Sequence, residues 1–329
     1  MIRLGLQIPN FTYPGVATAD LFARVSGIAQ AAEQSGFDSL WVMDHFYQLP
    51  LLGPAENAML EAYTLLGALA AQTTTARLGT LVTGVTYRNP AILAKQITTL
   101  DVISGGRAVL GIGAAWFAAE HEGLGVDFPP VGERMDRLEE ALLICRAMLR
   151  CDRPVFNGRY YRVRYPINSP APLQAGGPPV LIGGAGEKRT LKLVAQYADA
   201  VNLICGRDEI PHKLEVLEAH CEKEGRDPAT INKTWLTSVV IGPSPAEAIE
   251  ARDRWFAERG IPWGMMDNEA RASISSRLLV GTPEIVGGRL RQLTIDQGLD
   301  GAILNFPANG HDLEMITHSG PELLTAMGG

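Results

Sequence analysis

An Asp-His pair, Asp44-His45, leaves the apolar run Ser39-Leu40-Trp41-Val42-Met43. Such a pair sets a hydrogen-bond acceptor beside a side chain that titrates near neutral pH, a combination suited to general acid/base work. The plainer alternative is an Asp44 that caps a turn and a His45 satisfied within a loop. A second candidate is the run Val180-Leu181-Ile182-Gly183-Gly184-Ala185-Gly186-Glu187-Lys188-Arg189. Glycines let backbone N–H groups approach an anion, a following helix adds the positive end of its dipole, and Lys188 and Arg189 add charge, so the run reads as a phosphate site. It is neither GxGxxG after a first strand nor a Walker loop, and a tight strand-to-helix turn would use the same glycines. A third candidate, Leu110-Gly111-Ile112-Gly113-Ala114-Ala115-Trp116, pairs very small residues with an aromatic. A flat ring could lie against that backbone with Trp116 as a wall, although a crowded barrel interior also calls for small residues. Glu120-His121-Glu122 has the atoms of a metal site, but neighbouring loop residues rarely converge as ligands and no HExxH occurs, so a solvated loop is expected and no metal is assigned.

These residues need elements to hold them. Eight short β-rich segments recur: Ile2 to Pro9, Asp38 to Met43, Leu78 to Thr83, Arg107 to Ile112, Pro179 to Gly183, Ala200 to Ile204, Trp235 to Ile241 and Gly301 to Phe306. Stretches of helical periodicity follow them, with start signals at Asn89-Pro90, Ser244-Pro245-Ala246-Glu247 and Thr282-Pro283-Glu284. Eight β/α units without a linker predict a (β/α)8 barrel over residues 1–329, ahead of an open doubly wound sheet. Long connections are expected after strands 2 and 4, between strands 4 and 5, and in the strand 7 to 8 region. The candidates then fall at strand C-termini, the face on which barrels build active sites.

The chain has 329 residues, 46% hydrophobic and 20% charged, enough to bury a large core. A net charge of −7 without a basic patch disfavours nucleic acid and anionic membranes as partners. No run is long enough to span a bilayer, the N-terminal residues lack a secretory pattern, and four scattered cysteines predict no disulfide framework, so a cytoplasmic setting is expected.

The segments Gly5-Leu6-Gln7-Ile8-Pro9-Asn10, Gly36 to His45, Leu78-Gly79-Thr80, Tyr87-Arg88-Asn89-Pro90, Leu110 to Gly113, Ile182 to Gly186 and Val280 to Glu284, in this order, resemble the luciferase-like superfamily. Within it they resemble the actinobacterial coenzyme F420-dependent oxidoreductases. That resemblance implies a TIM barrel with the deazaflavin ring at its C-terminal mouth and the cofactor phosphate at the strand-5 turn. It also implies a cis peptide at Leu81-Val82 behind the ring, and His45 beside the ring as proton donor or acceptor. Cofactor contacts are then expected from Asp44, Thr80, Leu81, Val82, Gly113, Ala114, Gly183, Gly184, Ala185, Gly186, Glu187 and Lys188. Substrate contacts are expected from Asn10, Trp116 and Glu120. The alternative is an FMN-dependent monooxygenase on the same scaffold. A homodimer, a small-molecule substrate and a separate reductase supplying reduced cofactor are the partners implied. Sugar-phosphate dehydrogenases of the family carry a glutamate just past the strand-4 glycines, where Trp116 stands here, which favours an enone, imine, ketone or alcohol.

Overall fold

Parallel strands with near-continuous apolar character must be covered on both faces, and closure into a barrel does this while leaving no free edge. The computed structural model, which describes residues 2–329, takes that solution. Its strands are β1 (Arg3–Ile8), β2 (Ser39–Val42), β3 (Arg77–Thr80), β4 (Ala108–Gly113), β5 (Val180–Gly183), β6 (Ala200–Leu203), β7 (Asn232–Ile241) and β8 (Gly301–Asn305). Each pairs in parallel with the next, and β8 returns to β1 with Arg3 opposite Gly301. The barrel expected from the β/α alternation is present, with strand ends displaced by no more than about three residues.

Two apolar layers hold it. Leu4, Leu40, Leu78, Leu110, Ile182, Val201 and Leu304 face outward into the surrounding helices. Trp41, Leu81, Val109, Leu181 and Ile303 fill the interior. The helix start signals act as their chemistry requires: Asn89 accepts the N–H of Ala91 at 2.9 Å, Ser244 that of Glu247 at 3.3 Å, and Thr282 that of Ile285 at 3.4 Å.

Three departures from the sequence expectation shape the mouth. The strand predicted over Leu78 to Thr83 stops at Thr80; a cis peptide joins Leu81 to Val82, as the resemblance implies, and Thr83–Gly84 resumes pairing with β4. The connection after β4 is not a solvated loop: it carries a helix, Ala118–Leu124, with Glu120 and His121 fully buried. The connection between β7 and β8 contains a helix, Asn268–Ser275, and a strand, Leu278–Gly281, that pairs with the C-terminal end of β7. Between β4 and β5 the long connection includes a small antiparallel hairpin, Val155–Asn157 with Arg162–Arg164.

Candidate active site

The Asp44-His45 pair divides its work. Asp44 is buried, and its carboxylate accepts from Arg88 Nη1 at 2.6 Å, Arg88 Nη2 at 2.9 Å and the Gly84 N–H at 3.2 Å. Arg88 also donates to Glu61 at 2.7 Å and lies over the Tyr63 ring. Burial works to lower the Arg88 guanidinium, but Asp44 overrides it and holds the group above its ordinary range. Asp44 therefore ties the end of β2 to the segment after β3. Its side-chain oxygens are taken by protein donors, Arg88 and the Gly84 N–H.

His45 turns the other way. Its Nδ1 lies 2.7 Å from Glu120 Oε1, and the second oxygen, Oε2, accepts the backbone N–H groups of Phe46 at 2.9 Å and Tyr47 at 3.4 Å. The Tyr87 hydroxyl donates to Oε1 as well. Burial alone would raise the Glu120 carboxyl, but His45, Tyr87 and the Phe46 N–H outweigh it and hold it below the usual glutamate value. A carboxylate can only accept, so Nδ1 of His45 carries a proton and the neutral ring keeps its lone pair on Nε2. Among the described residues Nε2 has no protein partner, and the side chain is only 15% exposed. Trp116, 61% exposed, meets the His45 ring edge-on at 5.7 Å and stacks on Phe117 at 5.3 Å.

His121 reaches the same network through Tyr87, whose hydroxyl also lies 3.3 Å from its Nδ1. Its Nδ1 reaches the Phe117 carbonyl at 2.8 Å, its Nε2 the Thr86 hydroxyl at 2.7 Å, and its ring stacks on Tyr87. Both ring nitrogens are thus engaged by protein, and among the described residues no grouping of three or more His, Cys, Asp and Glu suited to a metal occurs.

The small residues at the ends of β4 and β5 accommodate protein rather than open space. A Cβ at Gly111 would collide with the Thr80 carbonyl, and Cβ atoms at Gly113 and Gly183 would lie 2.8 and 2.7 Å from the Val82 methyls. Val82 is thereby wedged between these strand ends. Thr80 is buried too, bonded to Thr83 at 2.7 Å and to the Gly111 carbonyl at 3.0 Å. Arg134 donates to the Ala114 carbonyl at 3.1 Å, so that carbonyl is held within the protein.

Past β5 the turn opens. Gly184 adopts φ +131°, which an L side chain rarely adopts, and its N–H is given to Asn202 at 3.0 Å. The N–H groups of Ala185, Gly186, Glu187 and Lys188 find no acceptor among the described residues, and the helix Thr190–Tyr197 begins just beyond. This is the arrangement an anion needs. Lys188 is exposed, without a carboxylate partner among the described residues. Arg189 is corrected as a source of free charge: it pairs with Asp136 at 2.7 Å and Glu139 at 3.7 Å. The Glu187 carboxylate faces Lys213 at 2.6 Å and His212 at 3.2 Å instead of the turn. Asn10 sits at the end of β1, where its side-chain oxygen accepts the Thr12 N–H at 2.8 Å. The thiols of Cys145, Cys205 and Cys221 are buried, and all four cysteines are free. Sequence reasoning gave no role to Tyr87, Arg88 or Glu61; the juxtaposition of a phenol and a guanidinium at a strand end, just before the Asn89-Pro90 cap, is the signal that could have drawn attention to them.

Residues 2–300 match Luciferase-like monooxygenase. The chain belongs to this family. It is 31% identical over 246 residues to an F420-dependent glucose-6-phosphate dehydrogenase of Kineococcus radiotolerans, covering 73% of this chain and 71% of that protein. It is 28% identical over 237 residues to a 5,10-methylenetetrahydromethanopterin reductase of Methanolobus tindarius, covering 71% and 66%. A solved F420-dependent secondary alcohol dehydrogenase in complex with an F420-acetone adduct superposes with a TM-score of 0.79 over 99% of both chains at 21% identity, a likeness of fold. That structure shares the closed barrel whose C-terminal mouth carries His45, Val82 and the Gly184 turn here.

Proposed function

We propose that the protein is a coenzyme F420-dependent oxidoreductase that transfers hydride between the deazaflavin and a small carbonyl, enone, imine or alcohol. The observation that carries the reading is His45: a nearly buried imidazole fixed through Nδ1 on an ionised carboxylate, with Nε2 left for chemistry. The residues fit the cofactor. The unpaired N–H groups of Ala185 to Lys188 suit its phosphate, and Val82 with its flanking glycines, beside His45 and Trp116, suits the edge of a flat ring. When bound, the reduced deazaflavin supplies a hydride. As the imidazolium, His45 gives the accompanying proton from Nε2 to the substrate oxygen or nitrogen, and in the reverse direction the neutral ring takes it back on Nε2. Glu120 fixes the ring orientation and stabilises the charged imidazolium. Trp116 shields the reacting carbon from water and prefers a flat or apolar substrate.

The relatives' names support the cofactor assignment, and the exposed Trp116 supports an apolar substrate over a sugar phosphate. In this reading the enzyme works as a homodimer in the cytoplasm, with its reduced cofactor regenerated by a separate enzyme. Titration of cofactor-free protein with coenzyme F420 and with FMN, followed by fluorescence quenching, tests the assignment. Saturable F420 binding at micromolar concentration or below is expected. Tight FMN binding with no F420 binding would reverse it, and rapid turnover of glucose 6-phosphate would overturn the substrate class.

A further inference from the structure

Two donors converge on one oxygen of Glu120. His45 Nδ1 reaches Oε1 at 2.7 Å, and the Tyr87 hydroxyl donates to the same atom, while Oε2 is filled by the Phe46 and Tyr47 N–H groups. All the good acceptor directions of the carboxylate are therefore occupied, and any strengthening of one bond to Oε1 weakens the other. We propose that Tyr87 is a positioning residue for the reaction at His45: by sharing Glu120 Oε1 it limits how strongly the carboxylate holds the imidazolium, keeping His45 able to release its proton. This rests on the reading of His45 as the proton-transfer group, but the sharing itself is a property of the protein alone.

The other charges near His45 are already committed. From the strand-2 end, Asp44 is neutralised by Arg88, which also pairs with Glu61. From the helix Ala118–Leu124, His121 stacks on Tyr87 with both ring nitrogens hydrogen-bonded, and Glu122 is exposed. The Tyr87 ring is fixed by that stack, by an edge contact with Phe46 at 5.1 Å, and by close packing on Gly84, where a Cβ would lie 2.7 Å away. The ring's packing thus holds the hydroxyl on Glu120, with His121 Nδ1 a longer second contact at 3.3 Å, and removal of one oxygen atom leaves that packing intact.

The test is Tyr87→Phe, read by NMR titration of the His45 ring in cofactor-free protein. Without the phenol, Oε1 gives all its density to Nδ1–H, and the pH at which His45 takes up its second proton should rise by roughly 0.5–1 unit, a fraction of the worth of a hydrogen bond to a charged acceptor. The profile of kcat against pH should move in the same direction, with KM nearly unchanged. The same substitution in a Glu120→Gln background supplies the control, and there Tyr87→Phe should produce no further shift. An unchanged or lower midpoint in the single variant, or an equal shift in both backgrounds, would overturn the proposal. A shift in the NMR midpoint without any change in turnover would leave the sharing standing and count against His45 as the proton-transfer group.

Discussion

The Asp44–Arg88 pair offers the most direct energetic test. In Arg88→Met the carboxylate of Asp44, with a side chain 1% exposed, loses donors at 2.6 and 2.9 Å and keeps only the Gly84 N–H at 3.2 Å. Two unit charges about 4 Å apart attract by about 4 kcal/mol at an effective dielectric near 20. Removing one member of a buried pair costs about 3–5 kcal/mol, because the survivor stays buried and uncompensated. Arg88→Met should therefore lose about 3–5 kcal/mol at pH 7 in urea unfolding followed by circular dichroism. Arg88→Lys, which keeps a charge but cannot bridge both Asp44 oxygens and Glu61, should lose less. The pH dependence identifies the cause. Burial already raises the folded-state carboxyl of Asp44 against the opposing pull of Arg88, and with Arg88 gone it rises further, so the added penalty applies when the carboxyl is ionised in the unfolded chain and vanishes below about pH 4. The deficit of Arg88→Met relative to the parent should thus shrink as the pH falls from 7 towards 4. A deficit below about 1 kcal/mol, or one that does not change between pH 7 and pH 4.5, would refute the buried-charge reasoning.

Four further expectations concern the mouth and the outer shell. Glu120→Gln places an amide among donors that need an acceptor, so stability should fall by about 1–3 kcal/mol in urea melts and kcat about 100-fold in steady-state assays. Gly184→Ala forces an L residue to φ +131° beside Thr190; it should cost about 1–3 kcal/mol and weaken F420 binding at least tenfold, as read by fluorescence titration. Trp116→Ala removes an exposed side chain, so stability should hold within about 0.5 kcal/mol while KM for an apolar ketone rises several-fold. Glu33 accepts the N–H groups of Thr74, Thr75 and Ala76; burial works to raise its carboxyl, but these bonds outweigh it and bring it down to about 2. A depressed folded value is a contribution present at neutral pH and lost as the pH falls through about 4 to 2. Glu33→Gln should therefore cost about 1–2 kcal/mol at pH 7 and very little near pH 2, measured by thermal melts at each pH.

The barrel was legible because its signals are local. An apolar run of strand length, a helical period and a cap with proline at the first helical position each lie within one element, and the caps at Asn89, Ser244 and Thr282 form as their side chains dictate. The helix Ala118–Leu124 was not legible. It is seven residues long and polar, and its composition alone reads as a solvated loop. What buries Glu120 is His45, 75 residues away, and Tyr87, 33 residues away, together with backbone donors at Phe46 and Tyr47. No window of sequence contains that information. The glycines Gly111, Gly113 and Gly183 were visible, but their purpose was not: space for a bound ring and space for the Thr80 carbonyl and Val82 demand the same residue, and only the position of the Leu81-Val82 segment decides between them.

The arrangement at the mouth also explains why adjacent residues take such different roles. Asp44 and His45 are neighbours, as are Tyr87 and Arg88. Each pair lies just past a strand end, and its two side chains go to different partners. Asp44 meets Arg88 on one side, and His45 meets Glu120 on the other, where Tyr87 arrives as well. Two adjacent pairs are thus cross-linked into one rigid ionic contact and one proton-bearing contact, and the first sets the register of the second. The buried ion pair gives this geometry a reason beyond stability, since a slip of one residue after β3 would bring a guanidinium against Glu120, and a slip after β2 would remove the imidazole from its acceptor. It follows that damage to Asp44 or Arg88 acts on His45 through the placement of its segment, whereas damage to Tyr87 or Glu120 acts through the carboxylate that accepts its Nδ1–H.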